Sequence, residues 1–403
     1  MRVVFLGGLF SKEKELFFLS RSKSNFQVAA NTLQWSLVRG LDQLAGTPID
    51  IVTIPFVGDF PRDYRDLVVG GHVFERGNSS LSHSIGFLNL KLINILSKFI
   101  ECRRVLRRVI DESADGRDRC LVVYGLFVYL VAAAVSVKGD FPNVRVCVVV
   151  PDLPDMMGGD NSRWVIRLFN YINRRLLNKV LPSVDCFVLL SKYMADRLPI
   201  GDRPWCVVEG VAEPRDVSDR EGSRDEFVVL YTGTLARRYG VIDLVNAFSC
   251  IPDKKFRLKV CGVGDGLANI LAATKIDRRI EYMGQLPRDE VLRLQESADL
   301  LINPRTSDGE YTRYSFPSKV MEYFASGTPT VMHRLPGIPD DYFKHCIVPP
   351  TEDAEGLTQA ILIASSLGHA ELRRIGLGAR DFILSEKSAV QQCQKIVQLI
   401  DRC

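Results

Sequence analysis

The sequence predicts an α/β chain built from two Rossmann-like, doubly wound domains in tandem, and three observations carry the prediction. Continuous apolar runs rich in β-branched residues recur along the chain, each followed by a helical stretch. That order is the signature of parallel strands covered on both faces and joined by crossover helices. The order is interrupted at 201–215, GDRPWCVVEGVAEPR, where Gly, Pro and mixed charge gather, and it then restarts. Finally, 403 residues exceed one core, since single cores stop growing near about 250–300 residues.

The first set of strands is expected at 2–6 (RVVFL), 49–54 (IDIVTI), 120–124 (CLVVY), 144–150 (VRVCVVV) and 185–190 (DCFVLL). The second is expected at 227–231 (FVVLY), 256–261 (FRLKVC), 280–282 (IEY), 299–302 (DLLI) and 329–332 (PTVM), and 352–403 reads as helices without another strand. The domains are therefore placed at 1–205 and 211–386, with 201–215 as the linker. Ligands of open parallel sheets bind at the C-terminal ends of strands, so two such domains facing a cleft would supply chemistry from their strand-end loops.

Composition excludes several classes. A hydrophobic content of 46% with 25% charged residues is globular, not disordered or collagen-like. The net charge of +4 is too small for a dedicated nucleic-acid binder. The charge is uneven: Lys and Arg exceed Asp and Glu by about six over 1–210 and fall short by about two over 211–403. Ten scattered Cys, with no CxxC and no His-Cys cluster, read as small core residues of a reducing compartment, with no structural zinc. The N-terminal apolar run lacks a cleavage site and is read as no signal peptide. The stretch 121–137, LVVYGLFVYLVAAAVSV, falls short of the roughly 20 residues of a membrane span and reads as a buried strand and helix.

Four strand-end segments could carry chemistry. In YSFPSKVMEYFASGTPTV, 314–331, Ser315 can cap a helix with Pro317 in its first turn and Gly327 at its end. Free amides there would attract an anion, Ser318 and Lys319 would add a hydroxyl and a cation, and Glu322 one turn on could accept from ribose hydroxyls. The same residues also fit an ordinary solvated face. In 228–248 a strand ends at Gly233-Thr234, and Arg237 and Arg238 follow where a diphosphate would lie; an exposed basic turn is the plain alternative. VCGVGDG, 260–266, offers Gly262 for close backbone approach, and Gly7-Gly8 ends the first strand. Neither glycine run meets the context of a dinucleotide-binding fingerprint. In VVVPDLPDMM, Asp152 and Asp155 could hold sugar hydroxyls or serve as a base, or form an Asp-Pro turn. Asp308 and Glu310 read as a loop, not a metal pair. Two basic helices, 90–110 and 161–179, remain; the second combines Trp164, Phe169 and Tyr171 with Arg163, Arg167, Arg174, Arg175 and Lys179 and suits an anionic membrane surface or a solvated helix face.

Together the 227–350 segments resemble the C-terminal nucleotide-sugar domain of family-four retaining glycosyltransferases, proteins of the GT-B fold. The resemblance rests on TGTLARRYG, CGVGDG, the Gly284-Gln285-Leu286 turn before SADLLINP, and the helix ending EYFASGTPTV. It implies that Glu322 holds the donor ribose, that the amides of Phe316, Pro317 and Ser318 meet the diphosphate, and that Gln285 and Leu286 lie beside the nucleobase. It also implies metal-independent catalysis with no cofactor beyond the donor, and residues 387–403 packing back on the N-terminal domain. There are departures. The first acid of the family's pair is here Tyr314, so Glu310 is the candidate substitute. The family's phosphate-binding Arg and Lys fall on Thr234 and Tyr239, leaving Arg237 or Arg238 to carry that charge. The usual mid-domain His is absent.

The expectation from these residues is a retaining hexosyltransferase of a capsule, exopolysaccharide or glycolipid subgroup. It would use a nucleotide diphosphate sugar and a polysaccharide or lipid-linked oligosaccharide acceptor, with Arg237, Arg238, Lys319 and Glu310 at the reacting centre and Gly7, Gly8, Asp152 and Asp155 on the acceptor side. The reduced cysteines place it in the cytoplasm, and the basic helices leave two options there, free in solution or peripheral on the inner face of the cell membrane. A non-catalytic sugar- or partner-binding homologue and a nucleotide-sugar epimerase are the alternatives.

Overall fold

The computed structural model describes residues 2–23, 28–76, 80–91, 93–112, 118–153, 164–215 and 225–403. The chain forms two compact units, one of Met1–Val211 with Ala389–Cys403 and one of Ala212–Ser388.

In chain order the first unit contains β1 (Arg2–Gly7), α1 (Glu15–Arg21), α2 (Val28–Ala45), β2 (Asp50–Thr53), β3 (Val68–Val69), β4 (His72–Glu75), β5 (Leu81–Ser84), β6 (Phe87–Leu88), α3 (Asn94–Glu112), β7 (Arg119–Tyr124), α4 (Val128–Asp140), β8 (Val144–Val150), α5 (Trp164–Val180), β9 (Cys186–Leu189) and β10 (Trp205–Val207). Its main sheet has the order β10-β9-β8-β7-β1-β2-β5-β4, parallel except for β4 against β5, while β3 and β6 form a separate antiparallel pair. The long apolar runs are explained by burial: β7 is buried along its whole length and β8 at all but one position. The stretch 121–137 is β7 and α4, and α4 buries residues around most of its circumference because a sheet and flanking helices enclose it. Among the described residues no helix is long and apolar enough to cross a membrane.

The second unit contains β11 (Phe227–Thr232), α6 (Val241–Ser249), β12 (Phe256–Cys261), α7 (Leu267–Ile276), β13 (Ile280–Gly284), α8 (Arg288–Ser297), β14 (Leu300–Asn303), α9 (Lys319–Ala325), β15 (Thr330–Met332), α10 (Ala354–Ser366) and α11 (Gly368–Glu386); α12 (Ala389–Asp401) follows and belongs to the first unit. Five parallel strands lie in the order β13-β12-β11-β14-β15. One face is packed by α6 and α10 through Phe248, Leu357 and Ile361, and Tyr323 of α9 joins Leu230 and Leu301 on another cluster.

Every anticipated strand forms, and five more appear. Of these, β10 lies inside the segment read as linker: Trp205, Cys206 and Val207 pair in parallel with Phe187, Val188 and Leu189, so the sheet continues where Gly and Pro suggested loop. The strands β3 to β6 were missed because each spans only two to four residues, too short to display a period.

The C-terminal α12 buries Gln392, Cys393, Ile396, Leu399 and Ile400 against the first unit's core. Its approach to α2 is close enough that a Cβ on Gly40 would lie 2.3 Å from the Ala389 carbonyl and 2.6 Å from Cys393 Sγ. Ile396→Ala is therefore expected to cost the first unit about 2–5 kcal/mol, read as a lower urea midpoint for that unit.

Candidate functional site

The chain leaves β11 on one side for β12 and β13 and reaches the other side for β14 and β15. The switch point between β11 and β14 is where an open α/β sheet leaves a crevice. Three strand-end glycines line this edge. Gly233 N donates to the Cys261 carbonyl at 3.0 Å and Gly262 N to the Gly284 carbonyl at 2.9 Å, carrying the sheet's pairing past the strands. A Cβ on Gly262, whose φ is +134°, would stand 1.8 Å from the Gly233 carbonyl oxygen, so no side chain is possible there. The Gly233 position faces Lys319, whose Cε would lie 3.6 Å from an added Cβ. Thr234 is exposed beyond it.

Helix α9 opens beside this edge. It begins at Lys319 with Ser318 as cap, and Ser318 makes no side-chain capping bond. This corrects the reading of Ser315 as the cap: its hydroxyl donates to the Tyr311 carbonyl at 2.9 Å and accepts from Arg305, so it is held by the preceding turn. Phe316 is buried with Val320 and Phe324, which anchors the helix start, while Ser318 is exposed and Pro317 half-buried. With seven residues, α9 supplies a small dipole, and Lys319 contributes the full charge at its first turn.

Glu322 organises the floor of the site. Its Oε2 accepts from Lys319 Nζ at 2.9 Å and from Gln295 Nε2 at 3.5 Å, and its Oε1 lies 3.9 Å from Arg288. Burial pushes this carboxyl up, but Lys319, Arg288 and Gln295 together outweigh burial and hold it below the ordinary carboxylate range. Gln295 is fully buried, donates to Thr232 Oγ1 at 3.0 Å and accepts from Arg215, which also donates to the Glu322 carbonyl. Tyr323 closes the network: its hydroxyl accepts from Thr232 N at 2.9 Å and donates to the Thr232 carbonyl at 3.0 Å.

The two arginines of the basic turn diverge. They lie in a short 3-10 turn, Arg237–Tyr239, and both are exposed. Arg237 donates to Asn269 on α7 at 3.0 Å, while its amide donates to Asp265. Arg238 stacks over Tyr239 and Tyr311, 5.1 and 5.5 Å from the ring centroids, toward β14. Arg305, which the sequence reading did not single out, is buried between the same two rings and donates to Ser315 Oγ at 2.9 Å. Glu310 is exposed, and Tyr314 donates to its Oε1 at 3.1 Å, so hydroxyl and carboxylate stand side by side here. At the far side, Gln285 is exposed and Leu286 packs on the cluster around Tyr323. Among the described residues no group of three or more His, Cys, Asp or Glu is placed to hold a metal ion.

In the first unit Gly7 and Gly8 end β1 under cover. Gly8 N donates to Gln34 Oε1 at 2.7 Å, and a Cβ on Gly8 would strike the Phe56 ring. Asp152 is exposed just past β8, and Asp155 lies outside the described residues. Gln295 had a legible sign, a polar residue four positions after Val291 on the inward side of α8. Arg215 and Arg305 had none, because their partners come from distant segments.

Residues 226–366 match the family described as Glycosyl transferases group 1. A D-inositol 3-phosphate glycosyltransferase of Corynebacterium efficiens is 27% identical over 123 residues, covering 28% of this chain and 28% of that protein. The chain thus matches well under two thirds of that relative's length. Sucrose-phosphate synthase from Thermosynechococcus elongatus superposes with a TM-score of 0.64 at 17% identity, over 100% of this chain and 99% of the other. Anabaena Alr3699/HepE, solved in complex with UDP, gives 0.61 at 12% identity, over 100% of both chains. These likenesses are of fold, that of the GT-B glycosyltransferases.

Tyr323→Phe leaves the buried Thr232 amide without its acceptor and is expected to cost about 1–3 kcal/mol in chemical denaturation. The depressed Glu322 carboxyl favours the folded state above its unfolded pKa of about 4.3, and this contribution is lost as pH falls through the lower folded value. Glu322→Gln should therefore be less stable than the parent at pH 7, by about 1–3 kcal/mol, with the gap closing below about pH 4.

Proposed function

We propose that the chain is a retaining hexosyltransferase that moves a hexose from a nucleotide diphosphate sugar to a polysaccharide or lipid-linked oligosaccharide acceptor. The observation that carries this reading is the Lys319–Glu322 pair at the glycine-lined switch point, inside the segment that matches Glycosyl transferases group 1. A cation and a carboxylate one turn apart suit the two ends of a nucleotide: Lys319 with the Ser318 and Lys319 amides takes the diphosphate, and Glu322 accepts from the ribose hydroxyls. Gln285 and Leu286 border the nucleobase, and Glu310, positioned by Tyr314, contacts the donor hexose.

In transfer, an acceptor hydroxyl oxygen bonds to the anomeric carbon as the bond from that carbon to the diphosphate oxygen breaks. Attack on the face that the diphosphate leaves preserves the configuration, and the departing phosphate oxygen takes the acceptor's proton. The catalytic task is then to stabilise charge on the leaving group. Lys319 and Arg238 serve that task best in this arrangement, with Arg237 drawn away by Asn269 until a ligand competes for it. The UDP held by the Anabaena protein of the same fold supports a nucleoside diphosphate as the donor's carrier. The exposed side of α5, with Tyr171, Ile172 and Leu176 among Arg174, Arg175 and Lys179, supports an anionic membrane surface as the place of acceptor delivery.

A screen of UDP-, GDP-, ADP- and dTDP-sugars for acceptor-dependent nucleotide release is expected to identify one donor. Binding of its nucleotide without release for any acceptor would instead favour a non-catalytic homologue. Glu322→Ala should weaken nucleoside diphosphate binding by about 1.5–3 kcal/mol, roughly tenfold or more, in calorimetry. Glu310→Gln should lower kcat and leave nucleoside diphosphate affinity unchanged. Sedimentation with phosphatidylglycerol vesicles should show salt-sensitive binding that Arg174→Glu with Arg175→Glu abolishes.

A further inference from the structure

The first unit has a switch point of its own, between β1 and β7, since the chain leaves β1 for β2 on one side and for β7 on the other. Two half-buried rings meet there. Phe56, just after β2, and Phe127, just after β7, lie with centroids 4.7 Å apart and planes at 52°. Glycines make room for both: a Cβ on Gly8 would come 2.0 Å from the Phe56 ring, and one on Gly125, at φ +93°, 2.7 Å from the Phe127 ring. The rings are therefore seated over the strand ends, where a ligand of this sheet would bind.

A buried cation stands behind them. Phe127 is followed by Tyr129 at 5.7 Å, and Lys98 Nζ lies 5.2 Å from the Tyr129 centroid and 4.3 Å from that of Phe87. Lys98 is only 7% exposed and makes no hydrogen bond or ion pair with any described residue. The carboxylate that acts on it, Asp59, accepts from Asn94 at 3.1 Å. Burial, which Asp59 offsets only in part, pushes the Lys98 ammonium down to about 8. Helix α4 opens at the same place. Phe127 is its cap residue and makes no side-chain capping bond, and its first turn holds no acid, so the positive end of its dipole has no carboxylate from its own first turn beside it. A buried ammonium, a 13-residue helix start without a side-chain cap and two ring faces suit one kind of ligand, an anion attached to an apolar ring face. Asp152, exposed just past β8 and acting on Tyr124, adds an acceptor for hydroxyls.

We propose that this end of the first unit is an acceptor subsite for an anionic pyranose: the sugar face stacks on Phe56 and Phe127, and its carboxylate or phosphate pairs with Lys98 at the start of α4. The assignment of this ligand as acceptor rests on the glycosyltransferase reading; the site itself does not.

The test is calorimetry on the full chain with methyl glucuronide, glucose 6-phosphate, methyl glucoside and inorganic phosphate. Both anionic sugars are expected to bind at least about tenfold more tightly than methyl glucoside, in line with a charge-assisted bond. Lys98→Met and Lys98→Gln should each remove that preference, and Phe127→Ala should weaken all three sugars. Equal binding of the glucoside, a preference that survives both Lys98 variants, phosphate matching glucose 6-phosphate, or no saturable binding of either anionic sugar at tens of millimolar would each overturn the proposal. Nucleoside diphosphate binding in the same samples separates the two readings. Its absence in the parent counts against the transferase, whereas its presence without sugar binding counts against this subsite alone.

Discussion

Glu322 is a carboxylate drawn from water at the start of α9, and the second unit is arranged around keeping it charged. Burial alone would raise its pKa and neutralise it, so the fold must surround it with donors. Those donors come from two helices, Lys319 on α9 itself and Gln295 and Arg288 on α8, while Arg215, from the segment entering the unit, bonds both Gln295 and the Glu322 backbone. Gln295 passes the constraint to Thr232 at the end of β11, and Tyr323 fixes that same residue's amide and carbonyl. The position of β11's terminal loop, and with it Gly233 and the crevice, follows from how one buried charge is satisfied.

The two units use one architectural rule to opposite ends. Both place glycines at the C-terminal ends of strands at or beside a switch point. In the second unit Gly284 meets nothing within 4 Å, Gly233 lies against Tyr231 and Lys319, and Gly262 allows backbone to touch backbone, which leaves an edge of peptide groups suited to phosphates and sugar hydroxyls. In the first unit Gly8 and Gly125 make room for phenyl rings, which turns the corresponding edge apolar and sets a buried lysine behind it. The difference is one of side-chain volume at positions that the backbone geometry had already made available.

How far the site was legible varies residue by residue. Glu322, Lys319 and Gly262 stood in short, ordered segments whose chemistry is local: i and i+3 on a helix, or a glycine after a strand. The helix start was misplaced, because Ser315 and Ser318 are equally good caps in sequence and only Arg305 and Tyr311, from the preceding loop, claim the first. Arg237 and Arg238 looked like a pair and are not one, because Asn269 pulls the first toward α7 while two tyrosines hold the second toward β14. The adjacency of Tyr314 and Glu310 was visible only as a spacing of four; the turn that brings hydroxyl to carboxylate made it a contact.

The sequence by itself determined the order of the ten long-run strands and their helices, the parallel character of those strands and the positions of the loops at their ends. Continuous apolar runs and glycine punctuation are properties of consecutive residues, and a strand buried on both faces must be apolar whichever neighbour covers it. Tertiary structure alone decided which polar groups share a site. The apolar stripe of α12 shows that the helix must be covered, but Gly40 and Cys393 decide that α2 covers it. Lys98 reads in sequence as one more basic residue of an amphipathic helix, and becomes a buried cation only because Phe87 and Tyr129, from β6 and α4, close over it. Burial of a charge is a property of its surroundings, and those surroundings come from segments far apart along the chain.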